Sequence, residues 1–326
     1  MKPAFSVIFL TTLIGAAQGL FLALFTAQSY ALFNLLPVQS SQSFYATGVL
    51  WVLALCVLGL VSSFFHLGRP ERAWRAAAMW RTSWLSREII LLPSFMGVVL
   101  LYGIVHSSGW NPAVVTLPDG VVIDVSVVLG ILGTLLAFAL FISTAMIYAC
   151  LPFLPEWHSP LTVFNYILLG GASGFTLAAA FATRHAPALI GFYAGWALII
   201  TLLAFASRGA SLIRNSRLRP KATLQTAIGI KHPRIVQKSA GFLGNSFNTR
   251  EFFHGRSVTT LRLVKWTLLA TVFVTPMLLL LAGLWLDGGG LLPLAFAVQY
   301  LGLLVERWFF FAQTQHSQNL YYQAVS

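Results

Sequence analysis

The sequence predicts an all-α, polytopic membrane protein: eight transmembrane helices in a bundle, forming one integral membrane domain over residues 1–326. Three observations predict it. First, 58% of the residues are hydrophobic and only 9% are charged, whereas a soluble domain usually carries roughly 25% charged residues. Second, in lipid every backbone polar group must be paired internally, which leaves helices or a closed barrel. Third, long runs such as Leu198 to Ala206 and Leu278 to Leu286 are apolar almost throughout, without the alternation of barrel strands.

A span needs about 20 largely apolar residues, and eight stretches qualify. The first lies near 4–29; its apolar run from Ala4 to about Phe33 is too long for the apolar region of a signal peptide. Leu36-Pro37 breaks it from a second span near 45–65. The third, near 88–107, ends before Asn111-Pro112 and Pro118-Asp119-Gly120, read as a polar turn. Spans near 125–150 and 160–182 are separated by Pro152, Pro155 and Pro160. The sixth runs near 187–207. Residues 208–263 then form a long basic loop, punctuated by Gly229, Pro233, Gly241, Gly244 and Gly255. The last two spans, near 264–286 and 290–313, flank Asp287-Gly288-Gly289-Gly290.

Eight spans place both termini on one side. That side carries nineteen of the twenty Lys and Arg residues, all but Arg184. The opposite side carries Asp119, Asp124 and Asp287. The excess of positive charge on cytoplasmic loops therefore predicts cytoplasmic termini in a bacterial inner membrane. Arg69, Arg72, Arg75, Arg81 and Arg87 in the short second connection suffice for this. Membrane lipids, not nucleic acid, are the expected surroundings of these basic loops.

The densest polar cluster runs from His66-Leu67-Gly68-Arg69-Pro70-Glu71-Arg72 to Trp84-Leu85-Ser86-Arg87-Glu88. His66 ends the second span and Glu88 begins the third, so both fall at one membrane boundary. Ionisable groups at that depth are costly unless paired or used. Quinone chemistry would use them. A ring carbonyl takes a hydrogen-bond donor, and the reaction needs a group that exchanges protons. His66 suits the first role and Glu88 the second, with Arg69 setting local potential and Trp84 and Tyr148 close to the headgroup. The other reading is structural: His66 caps a helix, and Glu88 pairs with an arginine at a helix N-terminus.

Other polar residues are weaker candidates. Gln18 and Gln28 read as helix–helix contacts, Glu306-Arg307 as an ion pair, and His106 and His185 as interfacial. Charged residues otherwise fall at boundaries and no internal repeat is evident, which disfavours a secondary transporter. A bis-histidine haem needs two facing histidines; His66 and His158 are the pair on one face, and both lie in or beside loops. Cys56 and Cys150 sit in apolar runs without a Cys-x-x-Cys. The chain is therefore expected to hold no haem, cluster or other metal.

His66-Leu67-Gly68, Pro70, Arg72-Ala73 and Leu85-Ser86-Arg87-Glu88-Ile89 resemble the membrane-anchor family of dimethyl sulfoxide reductase. Trp157-His158 after a proline-rich link matches too. Glu306-Arg307-Trp308 and Gln318-Asn319-Leu320-Tyr321-Tyr322 resemble a branch associated with sulfite oxidation. The resemblance implies an anchor that exchanges electrons with ubiquinone or menaquinone. Its implied partners are a ferredoxin-like subunit with four iron–sulfur clusters and a molybdopterin catalytic subunit. It also implies that His66 and Glu88 form the quinone site, on the face that receives the iron–sulfur subunit. Arg72, Arg75, Arg81, Trp157 and His158 are the expected docking residues on that face. A cytoplasmic placement of the face fits sulfite oxidation better than dimethyl sulfoxide reduction.

Overall fold

The computed structural model describes residues 2–118, 120–219, 223–236, 255–286 and 290–316. Among them, eight helices are long and apolar enough to cross a membrane. These are α1 (Phe5–Leu32), α2 (Ser41–Phe64), α3 (Trp84–Ser108), α4 (Val125–Ala149), α5 (Pro160–His185), α6 (Ile190–Ser216), α8 (Val258–Trp285) and α9 (Leu291–Ala312). A short α7 (Leu224–Ile228) lies between α6 and α8. Asp119, Gly241, Gly244, Asp287 and the 318–322 motif lie outside the described residues.

Local sequence sets the helix starts. Side chains of Ser83, Asp124, Ser159 and Ser257 accept from backbone N–H groups in the first turns of α3, α4, α5 and α8, satisfying donors that have no intrahelical partner. Gly109 ends α3 in the left-handed region, φ 72°, where a Cβ would be strained. A π turn over Ala270–Val274 precedes Pro276 in α8, accommodating a residue that cannot donate to the helix ladder.

Three connections differ from expectation. The segment read as a polar turn after α3 contains a two-stranded antiparallel hairpin, β1 (Ala113–Thr116) with β2 (Val122–Asp124). α6 continues to Ser216 instead of stopping near 207, because Ser207, Ser211 and Asn215 keep a helical spacing of polar positions after the apolar run ends. α8 begins at Val258, ahead of the expected 264.

α1 and α5 form the centre of the bundle, their most apolar stretches being 72% and 83% buried. They meet through glycines. A Cβ at Gly19 would strike the carbonyl oxygen of Gly170, and one at Gly174 the backbone of Gly19. Close approach of this kind is how apolar helices associate where lipid supplies no hydrophobic drive. The other spanning helices turn exposed Leu, Ile, Val, Phe and Trp side chains outward.

Polar contacts gather at the two ends. On one, Glu88 of α3 meets Thr144 of α4, Asn165 of α5 meets Ser211 of α6, and Trp157 meets α9. On the other, Gln42 meets Ser107, and Gln28 meets Tyr102 and Ser126. The first end also holds the 66–83 connection and is called the His66 face below.

Candidate functional site

Glu88 stands one turn inside α3. Its Oε1 accepts a 2.6 Å hydrogen bond from the Thr144 hydroxyl. Behind it lies an internal cavity of about 30 Å³, bordered by Thr11, Gln18, Thr144, Tyr166, Ser173 and Arg307 among others. That volume holds about two ordered waters in a polar setting. The glycine approach of α1 and α5 forms one wall, since Gly15 and Gly170 also border it.

Arg307 connects this cavity to a buried charge triad. Glu306 Oε1 lies 2.8 Å from Arg208 Nε, and Glu306 Oε2 lies 2.8 Å from Arg307 Nε. All three side chains are almost fully buried. The Arg307 guanidinium rests 4.0 Å over the Tyr166 ring, a cation–π contact that offsets part of the desolvation cost. The expected Glu306–Arg307 ion pair is therefore present but incomplete without Arg208. The triad is buried inside the bundle, so these charges are satisfied by one another and not by solvent. Apolar length alone assigns Arg208 to the basic loop; the polar face that carries α6 to Ser216 is the signal that places it on a helix.

Arg208 borders a second, smaller cavity of about 10 Å³ with Glu156, Asn165, Ser211 and Arg214. Asn165 Nδ2 donates to Ser211 Oγ, and Ser207 Oγ donates to Asn165 Oδ1. Arg214 closes the rim by donating to the carbonyls of Pro155 and His158. Glu156 is half-buried, and desolvation pushes its carboxyl above the usual range.

The expected site residues separate into groups. Glu88 and Tyr148 belong to the interior: Tyr148 packs among Trp157, Tyr166, Phe310 and Phe311. His66, Arg69, Arg72, Arg75 and Arg81 are all exposed on the His66 face. Partial burial holds the His66 imidazole below its ordinary pKa, so it is neutral at pH 7. The hydrogen-bond partner of Glu88 is Thr144 and not His66, so the expected imidazole–carboxylate couple is not in direct contact. Trp84 lies 4.1 Å beneath the Arg87 guanidinium, and Arg87 donates to the carbonyls of Trp80 and Arg81. That pins the end of the 66–83 connection, which includes a 3-10 helix over Pro70–Met79.

Trp157 is corrected. It is 3% exposed, its indole Nε1 donates to the Phe310 carbonyl, and it stacks on Phe310. It holds the 150–159 connection to α9 and offers no docking surface. His158 remains exposed, with Nδ1 2.7 Å from the Ala149 carbonyl. It borders an open apolar groove of about 440 Å³ with Met146, Ala149, Val163 and Phe164.

Gln18 is a helix–helix contact as expected, donating to the Ala137 carbonyl. His106 lies in the last turn of α3, toward the other end as expected, and is buried there. It is 4% exposed, stacked on Tyr45 and edge-on to Tyr102.

Comparison with known proteins adds two matches. The family described as DMSO reductase anchor subunit (DmsC) matches residues 1–280. A sulfite dehydrogenase subunit from Allochromatium vinosum is 56% identical over 328 residues, covering 100% of each chain.

Proposed function

Because this chain belongs to the DMSO reductase anchor subunit (DmsC) family, we propose that it is the quinone-reactive membrane anchor of a molybdopterin and iron–sulfur oxidoreductase that oxidises sulfite. A ferredoxin-like iron–sulfur subunit docks on the face carrying His66 and the exposed arginines. It delivers electrons drawn from sulfite by a molybdopterin subunit. Quinone accepts two electrons and two protons and leaves as quinol. The name of the Allochromatium relative supports the substrate, and the asymmetry of basic residues supports a cytoplasmic docking face.

Glu88 carries this reading. It is a carboxylate one turn inside a spanning helix, held by one hydroxyl and backed by a polar cavity. An intramembrane ionisable group of this kind marks a functional site by default. The cavity is far smaller than a ligand pocket of about 300 Å³ or more. The ring therefore stands on the boundary side of Glu88, toward His66, and takes its proton from the carboxyl. His66, neutral at pH 7, offers a ring N–H to a carbonyl. A second seat is favoured by volume alone: the groove at His158 has room for a ring.

Glu88→Gln in the intact complex tests the reading. Quinone-linked sulfite oxidation is expected to fall on the order of a hundred-fold, with sulfite oxidation by an artificial acceptor unchanged. Equal loss of both activities would assign Glu88 to folding or docking. Loss of quinone turnover in His158→Ala, with Glu88→Gln unaffected, would move the ring to the groove.

A further inference from the structure

We propose that Glu306, held between Arg208 and Arg307, relays protons from the aqueous phase at Glu156 to Glu88. The proposal rests on the reading of Glu88 as the proton donor to quinone. It adds the path by which Glu88 is recharged.

Three observations carry it. Arg307 and Glu88 border one cavity, Arg208 and Glu156 border the other, and the two arginines grip opposite oxygens of the same carboxylate. Glu306 thus links a lining residue of one cavity to a lining residue of the other. Each cavity has polar groups in its lining; the inner one has room for about two waters and the outer one about the least that a single water needs, with Asn165 and Ser211 supplying hydrogen-bonding groups along it. Glu156 closes the path at the surface, half-buried at the rim with Arg214.

Charge arithmetic explains the arginines. Arginine does not release its proton in proteins, so neither can carry the proton onward. Each is a fixed charge. Arg208, Arg307, Glu306 and Glu88 sum to zero only while both carboxylates are ionised. That is the state left when Glu88 has given its proton to the ring. One proton arriving at Glu306 brings the group to a single positive charge. Its onward transfer through the inner cavity to Glu88 leaves that total unchanged, so no further charge is buried. Reduction of one quinone takes two electrons from the docked iron–sulfur partner and two protons. Each proton that Glu88 supplies is replaced along this route, from the His66 face.

The test uses the intact complex with a short-chain quinone as acceptor, a ferricyanide assay of the catalytic partner as control, and rates in H₂O and D₂O. Glu306→Gln is expected to slow quinone reduction on the order of a hundred-fold and to enlarge the D₂O effect, with ferricyanide activity unchanged. Because a neutral residue between two arginines can prevent assembly, two further variants leave the triad intact. Asn165→Leu fills the outer cavity. Glu156→Gln removes the surface carboxyl. Both are expected to slow quinone reduction, and the Glu156→Gln rate should recover with a small weak acid in the buffer. Wild-type quinone reduction and D₂O effect in Asn165→Leu and Glu156→Gln, with Glu88→Gln inactive, would overturn the route while sparing the quinone reading. Full quinone turnover in Glu88→Gln would overturn both.

Discussion

The hydroxyl of Thr144 donates to Oε1 of Glu88 at 2.6 Å, joining α4 to α3 at the mouth of the inner cavity. This fixes one carboxyl oxygen and leaves the other available. Thr144→Val keeps the shape and removes the donor. A hydrogen bond to an ionised group contributes about 1.5–3 kcal/mol, so quinone-linked turnover should fall roughly ten-fold or more. Ferricyanide activity should stay constant. Parallel assays on one preparation check this.

Trp157→Phe removes the indole donor to the Phe310 carbonyl and keeps the stack on Phe310. Stability should drop by about 1 kcal/mol, read as a lower thermal midpoint in detergent. Retention of the soluble subunits through purification should not change, because this side chain is buried.

Glu156 gives a pH signature. Burial raises its folded carboxyl above the value in the unfolded chain, so between the two values the folded state binds more protons. Stability therefore falls as pH rises through that window. Glu156→Gln removes this loss. The variant should match the parent below about pH 4, the ordinary glutamate range, and melt at a higher temperature at pH 7. A lower midpoint at pH 7 would show that the ionised carboxylate stabilises the fold.

Gly174→Ala should be severe. Its Cβ would meet the backbone of Gly19, which cannot swing aside as a flexible side chain can, so overpacking should cost about 3 kcal/mol or more. Gly97→Ala, with nothing within 4 Å of the added carbon, is the matched control. The yield of monodisperse protein after detergent extraction separates them.

Arg87→Ala removes two carbonyl contacts and the stack on Trp84; the stack alone is worth about 0.5–1 kcal/mol. The 66–83 connection should then be cut faster by protease on isolated membranes. It should also hold the partner subunits less firmly at high salt.

Hydropathy and helix-breaking residues are enough to read the eight spans and both faces, because apolar length and proline placement act locally. Glu88 is legible for the same reason: a carboxylate at the start of an apolar run is conspicuous. Its partners are not. Thr144 and Tyr166 are ordinary residues in their own helices and gain meaning only when α4 and α5 pack beside α3. Arg208 is hidden because a basic residue after an apolar run reads as loop, and only the polar spacing through Ser211 and Asn215 argues otherwise. Trp157 misleads in the opposite sense. The resemblance makes it a docking residue, yet it is buried by α9, which is remote in sequence.

The inner cavity stops at Gln18. Ten residues further along α1, about 15 Å at helical rise, Gln28 begins the polar network of the far end with Tyr102 and Ser126. Between them lie Leu20, Phe21 and Leu24, fully buried, with Phe21 edge-on to Phe95 and to Tyr102. An energised membrane is a charged capacitor, and a wet recess entering from one plate is tolerable only while the dielectric beyond it stays whole. This hydrocarbon plug is that dielectric. On the proton route proposed above, it is what keeps a wetted carboxylate from shunting the voltage across the bilayer.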